Sequence, residues 1–433
     1  MNCSAKLSQL NLIEPIAVIG MGISGQAALK LLQAANLEVA AFDEKDIPNA
    51  EKIDLSDESA LNNYRTLVLS PGVDSRKKAI AASSAEKIND VEIFSRLNEK
   101  KIAAVTGSNG KSTTVSMLTE ILNKQNKNAV LCGNIGRSVL EAFCNAPEDT
   151  EIFVLELSNY QLERCPSLKP DVAAVLNVTP DHLDRYDSFE DYAATKANMA
   201  RQAKVCVLNT DDDFCRSFVG LCNTAVNFGS QENNRIADEN ILIDGEKILA
   251  CKELSVEGMP NYQNALAVLL MSRVLGADLN HAAKDLCEFQ GLAHRVSKVI
   301  EHNGITWIDD SKATNIGAAA AALSGISAPI WLIAGGVGKD QDFSLLAEKI
   351  KTSTVKKVLL IGLDNQDLEK ALNEAEIEYK NCVEMSDAIA YAYKNAVQGD
   401  CVLLSPATAS FDQFSGYAER GNCFAAGVKA ICK

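Results

Sequence analysis

The stretch that decides the fold is residues 102–113, IAAVTGSNGKST, a short apolar run followed by a loop of glycines and small polar residues. Its first five residues predict a buried strand, and residues 115–122 have the apolar spacing of a helix. Backbone amides in such a strand–loop–helix turn can cradle phosphate oxygens. Lys111 can neutralise the charge of β- and γ-phosphates, and the Ser112 hydroxyl can reach Mg²⁺. The stretch therefore predicts nucleotide binding, although Val105 stands where the usual phosphate loop has glycine.

Outward from this stretch, apolar runs and helical patterns alternate along the chain. The predicted strands include Ile16–Ile19, Leu37–Phe42, Leu67–Leu69, Ile152–Leu157, Val172–Asn177, Val205–Asn209, Ile305–Ile308, Ile330–Ala334, Val358–Ile361 and Val402–Leu404. Such alternation predicts βαβ units with parallel sheets, that is, an α/β fold. Asp244-Gly245 between two apolar runs predicts a hairpin, and the helical pattern from Met259 should stop at Gly276.

Length and composition limit the class of protein to which this chain can belong. At roughly 150 residues per domain, 433 residues predict about three domains, which we place at 1–92, 93–291 and 292–433. The net charge of −15 argues against a nucleic-acid partner, and no apolar run approaches the roughly 18 residues of a membrane span. Thirteen cysteines without a CxxC pair, and no apolar leader, predict a reducing, cytoplasmic setting. We expect a monomer.

A glycine-rich turn follows the first predicted strand. Gly20, Gly22 and Gly25 have the GxGxxG spacing that lets a phosphate approach backbone amides, and Asp43 closes the next strand. One interpretation is a dinucleotide site for NAD or FAD, with Asp43 on a ribose. The other is a tight turn that binds nothing.

Three further positions could carry chemistry in the middle of the chain. Glu156 closes a buried strand, where it would form a salt bridge or bind a metal ion. His182 lies between Asp181 and Asp184 in a loop after a strand, which favours a functional role. Lys196, on the next helix, would by itself be an ordinary surface lysine.

Three loops follow predicted strands in the last third of the chain. They read DDSKATN at 309–315, GGVGK at 335–339 and LSPATASFDQF at 404–414. Each is compatible with turn chemistry alone, and the paired acids could cap a helix that starts near Asn315. Because the carboxyl ends of parallel strands meet at one edge of a sheet, together they predict a site.

The motifs at 106–113, 309–315 and 404–414 resemble those of the Mur ligases, the amide-forming enzymes of peptidoglycan precursor synthesis, and among them the branch that uses D-glutamate. The resemblance runs from Gly20 to Tyr417. It implies a Rossmann-like N-terminal domain, a P-loop ATPase-like central domain and a Rossmann-like C-terminal domain. It also implies that the glycine turn holds the diphosphate of UDP-N-acetylmuramoyl-L-alanine and not NAD. ATP and D-glutamate would be the other substrates, joined through an acyl phosphate.

The resemblance also implies individual roles. The UDP-substrate residues would be Gly22, Ser24, Asp43, Ser70, Gly72, Asn134 and His182. The ATP residues would be Gly107, Asn109, Gly110, Lys111, Ser112, Thr113, Asn261, Asn264, Arg295 and Asp310. The D-glutamate residues would be Thr314, Lys339, Ser410 and Tyr417. Mg²⁺ would be held by Ser112, Glu156, His182 and a carbamylated Lys196, and the catalytic residues would be Lys111, His182 and Lys196.

The sequence departs from the family pattern at two places. Glu44-Lys45 follows Asp43 where Thr-Arg is expected, and Tyr417 stands where Phe is common. Two other classes of protein stay open on the residues alone. An NAD-dependent dehydrogenase would use only the first glycine turn, and a non-catalytic nucleotide switch would use only the loop at Lys111.

Overall fold

The computed structural model describes residues 10–181, 185–256, 258–338 and 341–432. Two residues predicted to act in the site, His182 and Lys339, lie outside these ranges. Contacts divide the chain into two compact units. The first contains residues up to 178 with 190–253 and 263–288, and the second contains 179–189, 254–262 and 289 onward. The two predicted boundaries between the three domains stay predictions.

The first sheet, in the first unit, has five parallel strands in the order β3-β2-β1-β4-β5, which is the order of a Rossmann-like half-sheet. Its strands are β1 (Ile16–Ile19), β2 (Val39–Asp43), β3 (Glu51–Lys52), β4 (Thr66–Leu69) and β5 (Glu86–Ile88). Its helices are α1 (Ile23–Ala34), α2 (Lys78–Ala82) and α3 (Asp90–Leu97). The strand predicted from Leu37 begins at Val39, because the Leu37 amide still bonds back to Leu32 at the end of α1.

The second sheet is also parallel, in the order β11-β10-β9-β6-β8-β7. Its strands are β6 (Lys101–Thr106), β7 (Ala129–Gly133), β8 (Ile152–Glu156), β9 (Val172–Val175), β10 (Val205–Asn209) and β11 (Ala225–Phe228). Its helices are α4 (Lys111–Lys124), α5 (Val139–Cys144), α6 (Asn159–Leu162), α7 (Phe189–Gln202) and α8 (Asp213–Ser217). Since β6 lies between β8 and β9, the loops that follow these three strands emerge side by side.

A small antiparallel sheet completes the first unit, with β12 (Arg235–Ala237), β13 (Asn240–Ile243) and β14 (Glu246–Ala250). The predicted hairpin is confirmed: Asp244 and Gly245 join β13 to β14, both with positive φ, 54° and 83°, as a two-residue turn of this kind requires. Helices α9 (Met259–Val274) and α10 (Leu279–Glu288) follow, and α9 ends just before Gly276 as predicted.

The fourth sheet, in the second unit, has the order β15-β16-β20-β17-β18-β19. Its strands are β15 (Ser297–His302), β16 (Ile305–Asp309), β17 (Ile330–Ala334), β18 (Val355–Ile361), β19 (Tyr379–Val383) and β20 (Cys401–Leu404). Its helices are α11 (Ile316–Gly325), α12 (Ser344–Lys351), α13 (Gln366–Glu374), α14 (Met385–Asn395) and α15 (Tyr417–Ile431).

Only β15 of the fourth sheet runs antiparallel. Its sequence, SKVIEH, does not predict a strand, because this edge strand carries polar residues at four of its six positions. Strand β20 lies between β16 and β17 and so brings the loop at 405–414 between the other two predicted loops. Within the described ranges, no helix has both the length and the apolar character needed to cross a bilayer.

Candidate active site

The loop between β6 and α4 has the form expected of a phosphate loop. Gly110 precedes α4 with φ of 86°, and a Cβ there would lie 2.5 Å from Oδ1 of Asn264. Glycine is therefore strongly favoured at this position, and Asn264 packs directly against the loop. The Lys111 ammonium donates to the carbonyls of Gly107 at 2.7 Å and Ser108 at 2.9 Å. The lysine thus folds over the loop that it follows.

Asn177, in the segment after β9, holds this loop in place. Its Oδ1 accepts from the Asn109 amide at 2.8 Å, and its Nδ2 donates to the Asn109 carbonyl at 3.1 Å. Its own carbonyl accepts from the Ser108 amide. From the sequence, Asn177 was predicted only to end a strand. The signal that could have found it is a polar residue at the end of a strand beside β6.

Glu156 ends β8 next to the phosphate-loop strand and is 1% exposed. Its Oε1 accepts from Nδ2 of Asn134 at 2.8 Å. Its Oε2 is buried and has no hydrogen-bond partner among the residues that the structure describes. Burying a carboxylate oxygen without a partner is costly. No salt bridge within the described residues accounts for Glu156, and its Oε2 is a candidate ligand for a metal ion.

Lys196 is buried, with 1% of its surface exposed, so the interpretation as a surface lysine is wrong. Its ammonium donates to Oδ1 of Asn159 and lies 4.6 Å from the ring centre of Tyr192. The Tyr192 hydroxyl is 2.9 Å from Oγ of Ser108 in the phosphate loop, and Asn159 donates to the Tyr192 carbonyl at 2.8 Å. Asn159 and Tyr192 were not anticipated from the sequence, yet they connect Lys196 to the phosphate loop.

These groups fit Mg²⁺, which prefers hard oxygen ligands. Glu156 offers a carboxylate oxygen, and Ser112, at 3% exposed, offers a hydroxyl on the first turn of α4. An unmodified ammonium cannot bind a cation, so Lys196 fits only after conversion to an oxygen-bearing group. Among the described residues, no group of three or more His, Cys, Asp or Glu side chains forms a metal site.

A cavity of about 530 Å³ lies between the glycine turn of the first sheet and the segment after β7. Among its lining residues are Gly22, Ser24, Asp43, Ser70, Gly72 and Asn134, every described residue predicted for the UDP substrate. Gly25 allows α1 to approach the turn, because a Cβ there would lie 1.9 Å from the Gly20 carbonyl oxygen.

Asp43 and Ser70 also build the wall of this cavity. Asp43 accepts from the Met21 amide at 2.7 Å and the Lys45 amide at 2.9 Å. Ser70 donates to the Gly20 carbonyl. At the departure from the family pattern, Glu44 lines the cavity and forms an ion pair with Lys77.

In the second unit, Asp310 is buried and accepts from Oγ of Ser405 at 2.8 Å and from the Val296 amide at 3.2 Å. Burial raises the pKa of Asp310 to about 7, against the opposing effects of the Ser405 hydrogen bond and the Arg295 charge. Asn261 also belongs to this unit. The predicted ATP contacts of these residues stay predictions.

The loops that carry the predicted D-glutamate residues lie together in the second unit. The Ala407 amide donates to the Ala313 carbonyl at 2.9 Å, which joins the loop of Thr314 to that of Ser410. Asn315, and not the paired acids before it, caps α11 by accepting from the Ala318 amide. The ring of Tyr417 lies 3.7 Å beneath the Lys312 ammonium.

This fold and site define an α/β protein of the phosphate-loop class, with a buried carboxylate beside the loop and a nucleotide-sized cavity in the same unit. Residues 105–272 match the family described as the Mur ligase middle domain, and residues 294–408 match the Mur ligase, glutamate ligase domain. The chain belongs to the Mur ligase family.

Relatives with sequence similarity over nearly their whole length are known in several bacteria. The UDP-N-acetylmuramoylalanine–D-glutamate ligase of Chromobacterium violaceum is 38% identical over 96% of this chain and 97% of the relative. The enzyme of the same name from Escherichia coli K12 is 35% identical over 96% and 98%.

Solved structures support the fold. UDP-N-acetylmuramate-alanine ligase MurC from Thermotoga maritima gives a TM-score of 0.63 at 17% identity, covering 96% of this chain and 99% of that one. MurF ligase from Thermotoga maritima in complex with ADP gives 0.62 at 18% identity, covering 96% and 95%.

Proposed function

We propose that this chain is an ATP-dependent, ADP-forming ligase that joins D-glutamate to UDP-N-acetylmuramoyl-L-alanine in peptidoglycan precursor synthesis. The relatives at 35–38% identity carry the name of this activity. The observation that carries the proposal is the position of Asn134. Its side chain lines the 530 Å³ cavity and also donates to Glu156 beside the phosphate loop. The cavity for the UDP substrate and the site of phosphoryl transfer therefore share a residue.

The reaction needs activation because a carboxylate is a poor acyl donor at neutral pH. The carboxylate of the L-alanyl group attacks the γ-phosphorus of ATP, the bond from that phosphorus to the bridging oxygen breaks, and ADP leaves. The amine of D-glutamate then attacks the acyl carbon and forms a tetrahedral intermediate. Phosphate leaves, the amine loses a proton and the amide remains.

The phosphate loop provides positioning and charge for the first step. Its backbone amides and the Lys111 ammonium face negative charge that spreads over the transferring group. Asn177 keeps the loop rigid, so these donors are already oriented when ATP binds. Bound Mg²⁺, held by Ser112 and Glu156, would supply further positive charge to the phosphate oxygens.

Two further roles extend this proposal. His182 is the candidate base for the amine proton, and Lys196, held by Asn159, is the candidate carbamate that completes the metal site. Carbamylation adds CO₂ to the neutral amine and releases a proton, which turns a cation into an anionic oxygen ligand. Thr314, Lys339, Ser410 and Tyr417 would bind D-glutamate. We place the reaction in the cytoplasm, where ATP is made, and we expect a monomer.

The test is phosphate release from ATP with purified protein, Mg²⁺, UDP-N-acetylmuramoyl-L-alanine and D-glutamate. Rapid release only when all substrates are present, with the coupled product identified by mass, supports the ligase. Omission of either acceptor and replacement of D-glutamate by L-glutamate are the controls. Phosphate release that needs no acceptor would instead indicate a nucleotide switch, and NAD reduction without phosphate release would indicate a dehydrogenase.

A further inference from the structure

Arg420, on α15, is a buried cation whose partners are all neutral. It is 1% exposed. Its Nε donates to Oγ of Ser311, its Nη1 to the Ala409 carbonyl, and its Nη2 to the carbonyls of Ser311 and Thr408, at 3.0 to 3.3 Å. Within the described residues, no carboxylate lies at ion-pairing distance from this guanidinium. Burial lowers its pKa to about 10, which still leaves the side chain charged at neutral pH.

These partners belong to the loops that follow β16 and β20. Ser311 lies three residues before Thr314, and Ala409 directly precedes Ser410. The Ser311 hydroxyl donates in turn to the Tyr417 carbonyl at 2.8 Å. Arg420 therefore bonds directly to the loops that carry Thr314 and Ser410. Through Ser311 it is one hydrogen bond away from Tyr417.

The third predicted loop is tied to the same point. The Ala409 carbonyl that accepts from Arg420 also accepts from the Val337 amide at 3.0 Å, and the Ala409 amide donates back to Val337 at 3.1 Å. A Cβ on Gly336 would lie 2.4 Å from the Ala409 carbonyl oxygen and 3.4 Å from Nη1 of Arg420. The chain from Gly336 leads on to Lys339, the fourth predicted residue.

We propose that Arg420 is the positioning residue of the D-glutamate site: its guanidinium fixes the loops after β16 and β20, and through Ala409 the loop after β17, relative to one another. This inference rests on the proposed function. A guanidinium holds several acceptors at once in one plane, which a lysine ammonium with three donors cannot reproduce.

The experiment is steady-state kinetics of Arg420→Lys with each of the three substrates varied in turn. We expect the KM for D-glutamate to rise by about tenfold or more, the equivalent of losing one charge-assisted hydrogen bond. The KM for UDP-N-acetylmuramoyl-L-alanine should stay within about twofold. The KM for ATP should rise much less than that for D-glutamate, because Asp310, next to Ser311, keeps its own bonds from Ser405 and from the Val296 amide. Arg96→Lys is the matched control, because Arg96 is a half-buried arginine that bonds Glu92 and Glu86 in the first unit. It should lower thermal stability without moving any KM.

A second measurement distinguishes a positioning role of Arg420 in the D-glutamate site from a role in the stability of the fold alone. In Arg420→Ala, millimolar guanidinium chloride should lower the KM for D-glutamate again, and ammonium chloride at the same ionic strength should not. If this variant does not fold, Arg420→Lys decides alone. A wild-type protein that makes no product with D-glutamate refutes the proposed function. An active wild type with an Arg420→Lys variant whose KM values are unchanged, or all raised equally, overturns the role of Arg420.

Discussion

Replacing Asp310 by asparagine should remove a pH dependence of stability that the wild-type protein carries. The pKa of Asp310 is raised from its ordinary value of 3.8 to about 7, mainly by burial. A folded state with the higher pKa binds the proton more tightly than the unfolded chain. The resulting stabilisation is complete below pH 3.8 and is lost as the pH rises through about 7.

The magnitude follows from this shift. Each pH unit below the folded pKa adds about 1.4 kcal/mol. Between about pH 5.5 and pH 8.5, Asp310 should therefore cost the wild type about 2 kcal/mol of unfolding free energy. Asparagine does not titrate and can keep both contacts, accepting from the Val296 amide and placing its own amide against Oγ of Ser405. Relative to the wild type, the free energy of unfolding of Asp310→Asn should therefore rise by about 2 kcal/mol between pH 5.5 and pH 8.5.

The assay is urea unfolding followed by tryptophan fluorescence. Both tryptophans of the chain, Trp307 and Trp331, are buried in β16 and β17, so the signal reports the second unit. Asp342→Asn is the control, since hydrogen bonds from Ser344 lower the pKa of Asp342, which therefore titrates below the range of the assay. A difference between Asp310→Asn and wild type that stays constant from pH 5.5 to 8.5 would refute the reasoning.

Four further substitutions test the first unit. Lys111→Ala should abolish ligation and leave binding of the UDP substrate intact, measured by calorimetry; unchanged turnover would contradict the phosphate-loop assignment. Glu156→Gln should reduce turnover by about 100-fold or more without lowering the melting temperature, since the amide is cheaper to bury; equal losses of both would indicate a structural residue. Gly110→Ala should lower the free energy of unfolding by about 1–2 kcal/mol, because alanine is strained in the left-handed backbone conformation. It should also weaken ATP binding, because the new Cβ would displace Asn264; a normal ATP affinity would contradict a role of Gly110 in the ATP site. Lys196→Ala should be inactive and partly restored by acetate, and full activity without acetate would exclude the carbamate.

Local signals in the sequence were enough for the main elements. The phosphate loop, the hairpin at Asp244-Gly245 and the end of α9 before Gly276 each depend on residues next to one another in the chain. The buried parallel strands were visible for the same reason, because strands covered on both faces are continuous apolar runs. The polar edge strand Ser297–His302 was missed, since its pairing with β16 and not its composition makes it a strand.

The predicted site was found as separate segments, and the sequence could not say what holds them together. The motifs mark residues that are predicted to contact substrates, including those around Lys111 and Ser410. The supports come from distant parts of the chain: Asn177 holds the phosphate loop, Asn159 holds Lys196, and Arg420 joins three loops. The sequence does not show which group the side chain of an asparagine or arginine will hydrogen-bond. Hydrogen-bond geometry and burial, which decide these roles, exist only once strand order has brought the carboxyl ends of non-adjacent strands to one edge.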